Sequence, residues 1–214
     1  MSTALIVVDV QNDFCPGGSL AVTDGDKVVP VINELRKTLK PDLVILTRDW
    51  HPTNHTSFAQ NNPGETLFKP RADGQMMWPT HCVMNSKGAR FHPDLIVEPE
   101  NPIVYKGTNK SVDSYSGFGS EPAADGSRLE VTNLDRILRN VDTKNVYVVG
   151  LAFDYCVAAT AKDAAGLGFK TTVIRNATRS VAPESAAKAE AEMRAAGVKI
   201  IASYKPWWRR WLPC

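Results

Sequence analysis

The chain has 214 residues, 43% of them apolar, and a formal net charge of +2 with acids and bases mixed along its length. That is enough apolar material for one good core, and a single domain over 1–214 is the simplest organisation. The near-neutral balance gives no electrostatic case for nucleic acid or an acidic membrane surface. No apolar run approaches the roughly 20 residues needed to span a bilayer. The four cysteines, Cys15, Cys82, Cys156 and Cys214, show neither CxxC spacing nor a secretory leader. They read as reduced thiols in an intracellular compartment, in the simplest case the cytoplasm.

In chain order, Ala4-Leu-Ile-Val-Val8 is a continuous apolar run of the buried parallel-strand type. A Gly-rich loop (Pro16-Gly-Gly18) leads to an amphipathic helix from about Asp26 to Leu39, stopped before Pro41. Leu43–Leu46 and Pro102–Tyr105 are the next strands. Asn133 to Asn140 reads as a helix, followed by the strand Asn145–Gly150 and the helix Val157–Ala165. Lys170–Ile174 is a strand, Pro183 to Ala196 an Ala/Glu-rich helix capped by Gly197, and Val198–Ile201 the last strand. Strands separated by helices predict an α/β fold, three layers deep (α/β/α), with a six-stranded parallel sheet and right-handed crossovers.

Two stretches fall outside this alternation. Arg48 to Asn101 is rich in Pro, Gly, Asn and His, and a long irregular segment in a compact domain is usually functional or disordered. The Trp-rich tail from about 204, Lys205-Pro-Trp-Trp-Arg-Arg-Trp-Leu-Pro-Cys214, fits packing across the body best. A subunit contact or a membrane-interface contact fits its composition too.

Asp9 ends the first strand, Lys106 the third, and Cys156 follows the fourth in the first turn of a helix. Parallel strands point their carboxyl ends one way, so these three converge on the crevice where open sheets bind ligands. A helix N-terminus favours a thiolate. A carboxylate to take the thiol proton, an ammonium to stabilise the thiolate and a thiolate nucleophile form a working set. Each also has a plain reading: Asp9 as a turn cap, Lys106 as a solvated strand end, Cys156 as a small core hydrophobe.

Asp49 and His51 are two apart, so an extended chain turns both to one side as a carboxylate–imidazole pair suited to Zn²⁺, Fe²⁺ or Mn²⁺. The third ligand is open between His55, His81 and His92; Cys82, beside His81, reads better as packed. Phe14, Trp50, Trp78, Tyr115, Phe118 and Tyr155 lie in or beside these loops, as walls of a slot for a flat ring or as lids over the core.

Together these features resemble the nicotinamidase/pyrazinamidase branch of the isochorismatase-like cysteine hydrolases. Six motifs carry the resemblance, in family order: Ile6-Val-Val-Asp9-Val-Gln-Asn-Asp-Phe14, Thr47-Arg-Asp-Trp-His-Pro52, Trp78-Pro-Thr-His-Cys82, Tyr105-Lys-Gly107, Tyr115-Ser-Gly-Phe118 and Val149-Gly-Leu-Ala-Phe-Asp-Tyr-Cys156. It implies a Rossmann-like hydrolase fold and hydrolysis of a linear amide, nicotinamide, to nicotinate and ammonia through a cysteine thioester, in NAD salvage. Asp9, Lys106 and Cys156 would form the catalytic triad. Asp49, His51 and His81 would hold one divalent metal ion, Zn²⁺ first with Fe²⁺ or Mn²⁺ as alternatives, and His55 stays open. Phe14, Trp78, Ala152 and Tyr155 would contact the substrate. A cis peptide between Leu151 and Ala152 would aim the backbone N–H groups of Ala152 and Cys156 at the oxyanion. The expected partner is the small-molecule substrate, with no nucleic acid or membrane, and homo-oligomer formation is left open.

The chain departs from the pattern at 71–77 and 121–128, loops that could reshape the pocket mouth, and in its tail. A sibling on the same fold, such as an N-carbamoyl amide hydrolase, is the alternative; those branches generally lack the metal site. A thiol-redox or binding module is a rival of another class, but no resolving cysteine lies near Cys156.

Overall fold

The computed structural model describes residues 2–205; the tail beyond Lys205 lies outside them. The described chain forms β1 (Ser2–Val8), α1 (Val28–Leu39), β2 (Leu43–Asp49), β3 (Ile103–Lys106), α2 (Leu134–Asn140), β4 (Thr143–Leu151), α3 (Ala158–Gly166), β5 (Lys170–Arg179), α4 (Pro183–Ala195) and β6 (Lys199–Ile201). The six strands make one sheet in the order β3-β2-β1-β4-β5-β6, every neighbouring pair parallel. The predicted three-layer architecture is the one observed.

β1 is apolar on both faces because both are covered. Ala4, Ile6 and Val8 pack with Leu134 and Leu138 of α2, Ala158 and Ala161 of α3 and Met193 of α4. Leu5 and Val7 face the other way, onto Val28, Val29, Ile32 and Leu35 of α1 and onto Cys82, Ala89 and Leu95 of the irregular segment. Burying each of the Val, Leu, Ile and Met side chains among these contributes about 1.5–3 kcal/mol of transfer free energy. Thus part of the segment between β2 and β3 replaces a helix as cover for one sheet face. It also carries the histidines past the strand ends.

Four strands run longer than the sequence predicts: β1 begins at Ser2, β4 spans Thr143–Leu151, and β2 and β5 extend at their carboxyl ends. β2 continues through Thr47-Arg48-Asp49, polar residues that interrupt the apolar run but pair with β3 up to Asp49↔Lys106. β5 continues to Arg179, with a register shift relative to β4 between Val148 and Gly150. The chain order reverses between β1 and β4, which opens the ligand crevice of a doubly wound sheet at the ends of those two strands.

Candidate active site

The strand ends bring Asp9, Lys106 and Cys156 into contact. Asp9, just beyond β1, is fully buried and held from β2, where Thr47 Oγ1 donates to Asp9 Oδ1 at 2.5 Å. Lys106 ends β3 and is also fully buried. Its Nζ lies 2.9 Å from Asp9 Oδ2, 2.9 Å from Asp49 Oδ1, 3.2 Å from the Ser114 carbonyl and 3.4 Å from Cys156 Sγ. Cys156 sits in a single π-helical turn, Phe153–Val157, that runs directly into α3. Such wide turns recur at functional sites. The Leu151–Ala152 peptide is cis, as the resemblance implies.

Electrostatics in this cluster differ in one respect from the sequence reading. Burial pushes the Cys156 thiol well above its ordinary range; Lys106 pulls it back only in part, and Asp9 pushes it up further. Desolvation thus favours the thiol form, the one from which Asp9 would take a proton. Burial likewise raises Asp9, with Lys106 opposing. Lys106 would be lowered by burial, but Asp49 and Asp9 hold it well above its usual value, so it stays an ammonium. A carboxyl of raised pKa beside a thiol of raised pKa is suited to passing one proton between them.

Next to this cluster, Asp49, His51 and His81 offer one ligand atom each, all within 4.8 Å of one another, and all three residues are buried. Asp49 Oδ2 lies 3.0 Å from His51 Nε2 and 3.4 Å from His81 Nε2. The donor chemistry fits a cation. His51 Nδ1 bonds the Gly107 carbonyl at 2.8 Å and His81 Nδ1 the Pro79 carbonyl at 2.7 Å. A carbonyl accepts only from N–H, so both Nε2 lone pairs turn toward the Asp49 carboxylate. Three lone-pair donors facing one point are what a divalent ion needs. Burial raises Asp49, yet positive charge beside it, His51 when protonated and Lys106, holds it well below the usual carboxylate range, so it is available as an anion.

His55 does not join this group. Its Nδ1 bonds Ser57 Oγ at 2.8 Å and its Nε2 faces the Val112 carbonyl at 3.2 Å, while burial, then His51, lowers its pKa to about 4. His92 lies elsewhere, lining a surface hollow with Cys15. Cys82 is fully buried and packs on the α1 side of the sheet, as the sequence reading favoured.

Above both clusters is a pocket of about 450 Å³ including its mouth, lined by Phe14, Trp78, Tyr115, Tyr155 and Ala152, with Cys156 and Lys106 also on its wall. The Trp78 and Tyr155 rings meet edge-on at 5.0 Å, and Trp78 Nε1 donates to the Tyr115 hydroxyl at 3.0 Å. Two aromatic residues from the predicted set are not in this pocket. Trp50 packs against Tyr105 at the sheet edge, and Phe118 belongs to the core on the α3 side. Leu20, Val22, Asp113, Ser114 and Val181 line the pocket without having been singled out in the sequence. Gln11 was missed as well: its amide bonds the Asp49 carbonyl and accepts the Asp49 N–H, both at 2.8 Å. Thr47 and Gln11 lie inside two of the six motifs, which is the signal that points to them; the aliphatic wall residues carry none.

Similar proteins are found for nearly the whole chain. The nicotinamidase of Escherichia coli strain K12 is 44% identical over 203 residues, covering 92% of this chain and 93% of that protein. The pyrazinamidase of Pyrococcus horikoshii, solved in complex with zinc, superposes with a TM-score of 0.78 at 39% identity, covering 95% of this chain and 100% of that one. The yeast nicotinamidase bound to the inhibitor nicotinaldehyde gives a TM-score of 0.83 at 33% identity, over 93% and 99%. The isochorismatase domain model matches residues 3–204, nearly the whole span that forms the sheet and its clusters, and the chain accordingly belongs to the isochorismatase family, within its nicotinamidase/pyrazinamidase branch.

Proposed function

We propose that this protein is a nicotinamidase: it hydrolyses nicotinamide to nicotinate and ammonia, an amide hydrolysis that serves NAD salvage. The observation that carries the reading is one buried ammonium, Lys106, in reach of Asp9, Asp49 and Cys156 at the base of an aromatic pocket. Similarity to nicotinamidases along almost the full chain supports the substrate.

In the proposed sequence, Asp9 takes the Cys156 proton, and Lys106 stabilises the thiolate as it forms. The sulfur attacks the carboxamide carbon. The backbone N–H groups of Ala152 and Cys156 receive the developing oxyanion. Asp9 returns its proton to the departing ammonia. Water, deprotonated by Asp9, then cleaves the thioester, releasing nicotinate and restoring the thiol. Phe14, Trp78 and Tyr155 border the ring and exclude water. Asp49, His51 and His81 would hold one divalent cation, Zn²⁺ by analogy with the zinc-bound relative, which when bound supplies a Lewis-acid anchor for the ring nitrogen. We read the unit as one catalytic domain working inside the cell, with no nucleic acid in its activity. No helix among the described residues is long and apolar enough to cross a membrane. An N-carbamoyl amide hydrolase would not call for the Asp49–His51–His81 group.

Ammonia release from nicotinamide by the purified protein tests the proposal, with Cys156→Ala beside it. The variant is expected to fold normally and lose at least about 10³-fold in kcat. No release from metal-loaded wild type would end the nicotinamidase reading, and near-normal release from the variant would end the nucleophile assignment.

A further inference from the structure

Glu130 sits between Leu129 and Val131 at a bend that leads into the bridge Gly119↔Val131, and the three differ sharply in exposure. The aliphatic neighbours are 80% and 72% exposed, while the carboxylate residue is only 9% exposed. The acid is turned inward and the two aliphatic neighbours are left bare.

Its carboxylate collects the start of the loop that follows β3. Oε2 accepts the Gly107 N–H at 3.0 Å, and Oε1 accepts the Thr108 N–H at 2.8 Å, the Thr108 hydroxyl at 2.6 Å and the Asn109 N–H at 3.3 Å. The Thr108 N–H belongs to the same planar peptide unit as the Gly107 carbonyl. That carbonyl is the acceptor for His51 Nδ1 at 2.8 Å. One peptide group thus bonds Glu130 at its nitrogen end and His51 at its oxygen end. The fit is tight, since a Cβ on Gly107 would lie 2.4 Å from His51 Cε1.

We propose that Glu130 is a positioning residue for the metal centre: through the Gly107–Thr108 peptide it fixes the orientation and tautomer of His51, leaving Nε2 bare for the cation. Metal-binding imidazoles commonly donate their second nitrogen to a carboxylate. Here a peptide is inserted between the two, and hydrogen bonds in series polarise one another. The inference rests on the metal assignment made above.

The test is Zn²⁺ affinity by chelator competition, with Co²⁺ absorption spectra, on wild type, Glu130→Gln, Glu130→Asp and Leu129→Ser. Glu130→Gln keeps the shape but loses the charge and turns a donor toward donors; Glu130→Asp keeps the charge on a shorter arm. Both are expected to bind Zn²⁺ about 10–100-fold more weakly, with altered Co²⁺ bands, while Leu129→Ser binds as wild type. Unchanged affinity and spectra in the folded Glu130 variants would overturn the proposal. So would equal weakening in Leu129→Ser, or loss of the fold in both Glu130 variants, which would make Glu130 a folding residue. A wild type that binds no Zn²⁺ would instead remove the metal assignment itself.

Discussion

Lys106 shares its single positive charge between two buried carboxylates, Asp9 and Asp49, and so couples the nucleophile's surroundings to the Asp49–His51–His81 group. Burial in this cluster raises Asp9, although Lys106 opposes it. As a base, Asp9 acts only when ionised, so activity should fall with decreasing pH through a value above the 3.8 of an ordinary aspartate. The acidic limb of kcat/KM against pH checks this, and a limb at or below that value would contradict it. Glu130 behaves oppositely. Burial pushes it up, but the hydrogen bonds it accepts from Thr108 and Gly107 hold it below 4.5. A lowered carboxylate contributes stability above its unfolded pKa, and that contribution disappears as pH falls through the folded value. Urea denaturation should therefore show Glu130→Gln less stable than wild type at neutral pH, with the gap narrowing below 4.5. Chelation should chiefly raise KM for nicotinamide, since Asp49, His51 and His81 line the substrate pocket; matched kinetics before and after metal removal decide it.

At the scale of elements, the apolar runs read correctly because their burial on both faces is written into their composition. The strand ends were less legible. Arg48 looks like a terminator, yet it lies in β2 with its guanidinium over the Phe91 ring at 4.1 Å, a partner 43 positions away in the chain. Arg175 likewise lies over Phe153 at 4.2 Å, which carries β5 beyond its apolar stretch. Such pairings arise only after folding, and local pattern contains no trace of them. Residue type and spacing, by contrast, point to the cluster of Asp9, Lys106 and Cys156 and to two metal-ligand candidates, while the choice of His81 over His55 and His92 needs the resemblance. Gly150 supplies an element-scale prediction. It has φ +110° and pairs with Val8, and a Cβ there would lie 2.1 Å from the Val8 carbonyl oxygen. Gly150→Ala should cost about 3 kcal/mol or more, combining a left-handed backbone with overpacking between β1 and β4. A denaturation midpoint close to wild type would show that β1 and β4 can separate to admit the methyl group.

For the whole molecule, stability and chemistry are carried by different parts. Met193 of α4 is fully buried in the α2–α3–α4 side of the core and lies outside the pocket. Met193→Ala should lose about 2–5 kcal/mol, each kcal/mol lowering Tm by about 2–4 °C, while kcat at 25 °C stays near wild type. Calorimetry and a rate assay on one preparation measure both. The long segment between β2 and β3 is placed differently again. It leaves β2 at Asp49 and returns at Ile103, the start of the parallel neighbour β3, three registered positions back along the ladder; the isolated bridge Gln11↔Phe91 fastens it to the body, and His51↔Val83 ties two of its own parts together. Its two ends are therefore fixed relative to each other by the sheet whatever lies between them, and lengthening a closed loop adds little entropy. The stretch 59–77, between Phe58 and Trp78, which themselves bridge, is accordingly an exchangeable graft. A different length or sequence there would change what packs behind the pocket's Trp78, where Phe68 now meets its ring, without shifting a hydrogen bond in the sheet that aligns Asp9, Lys106 and Cys156.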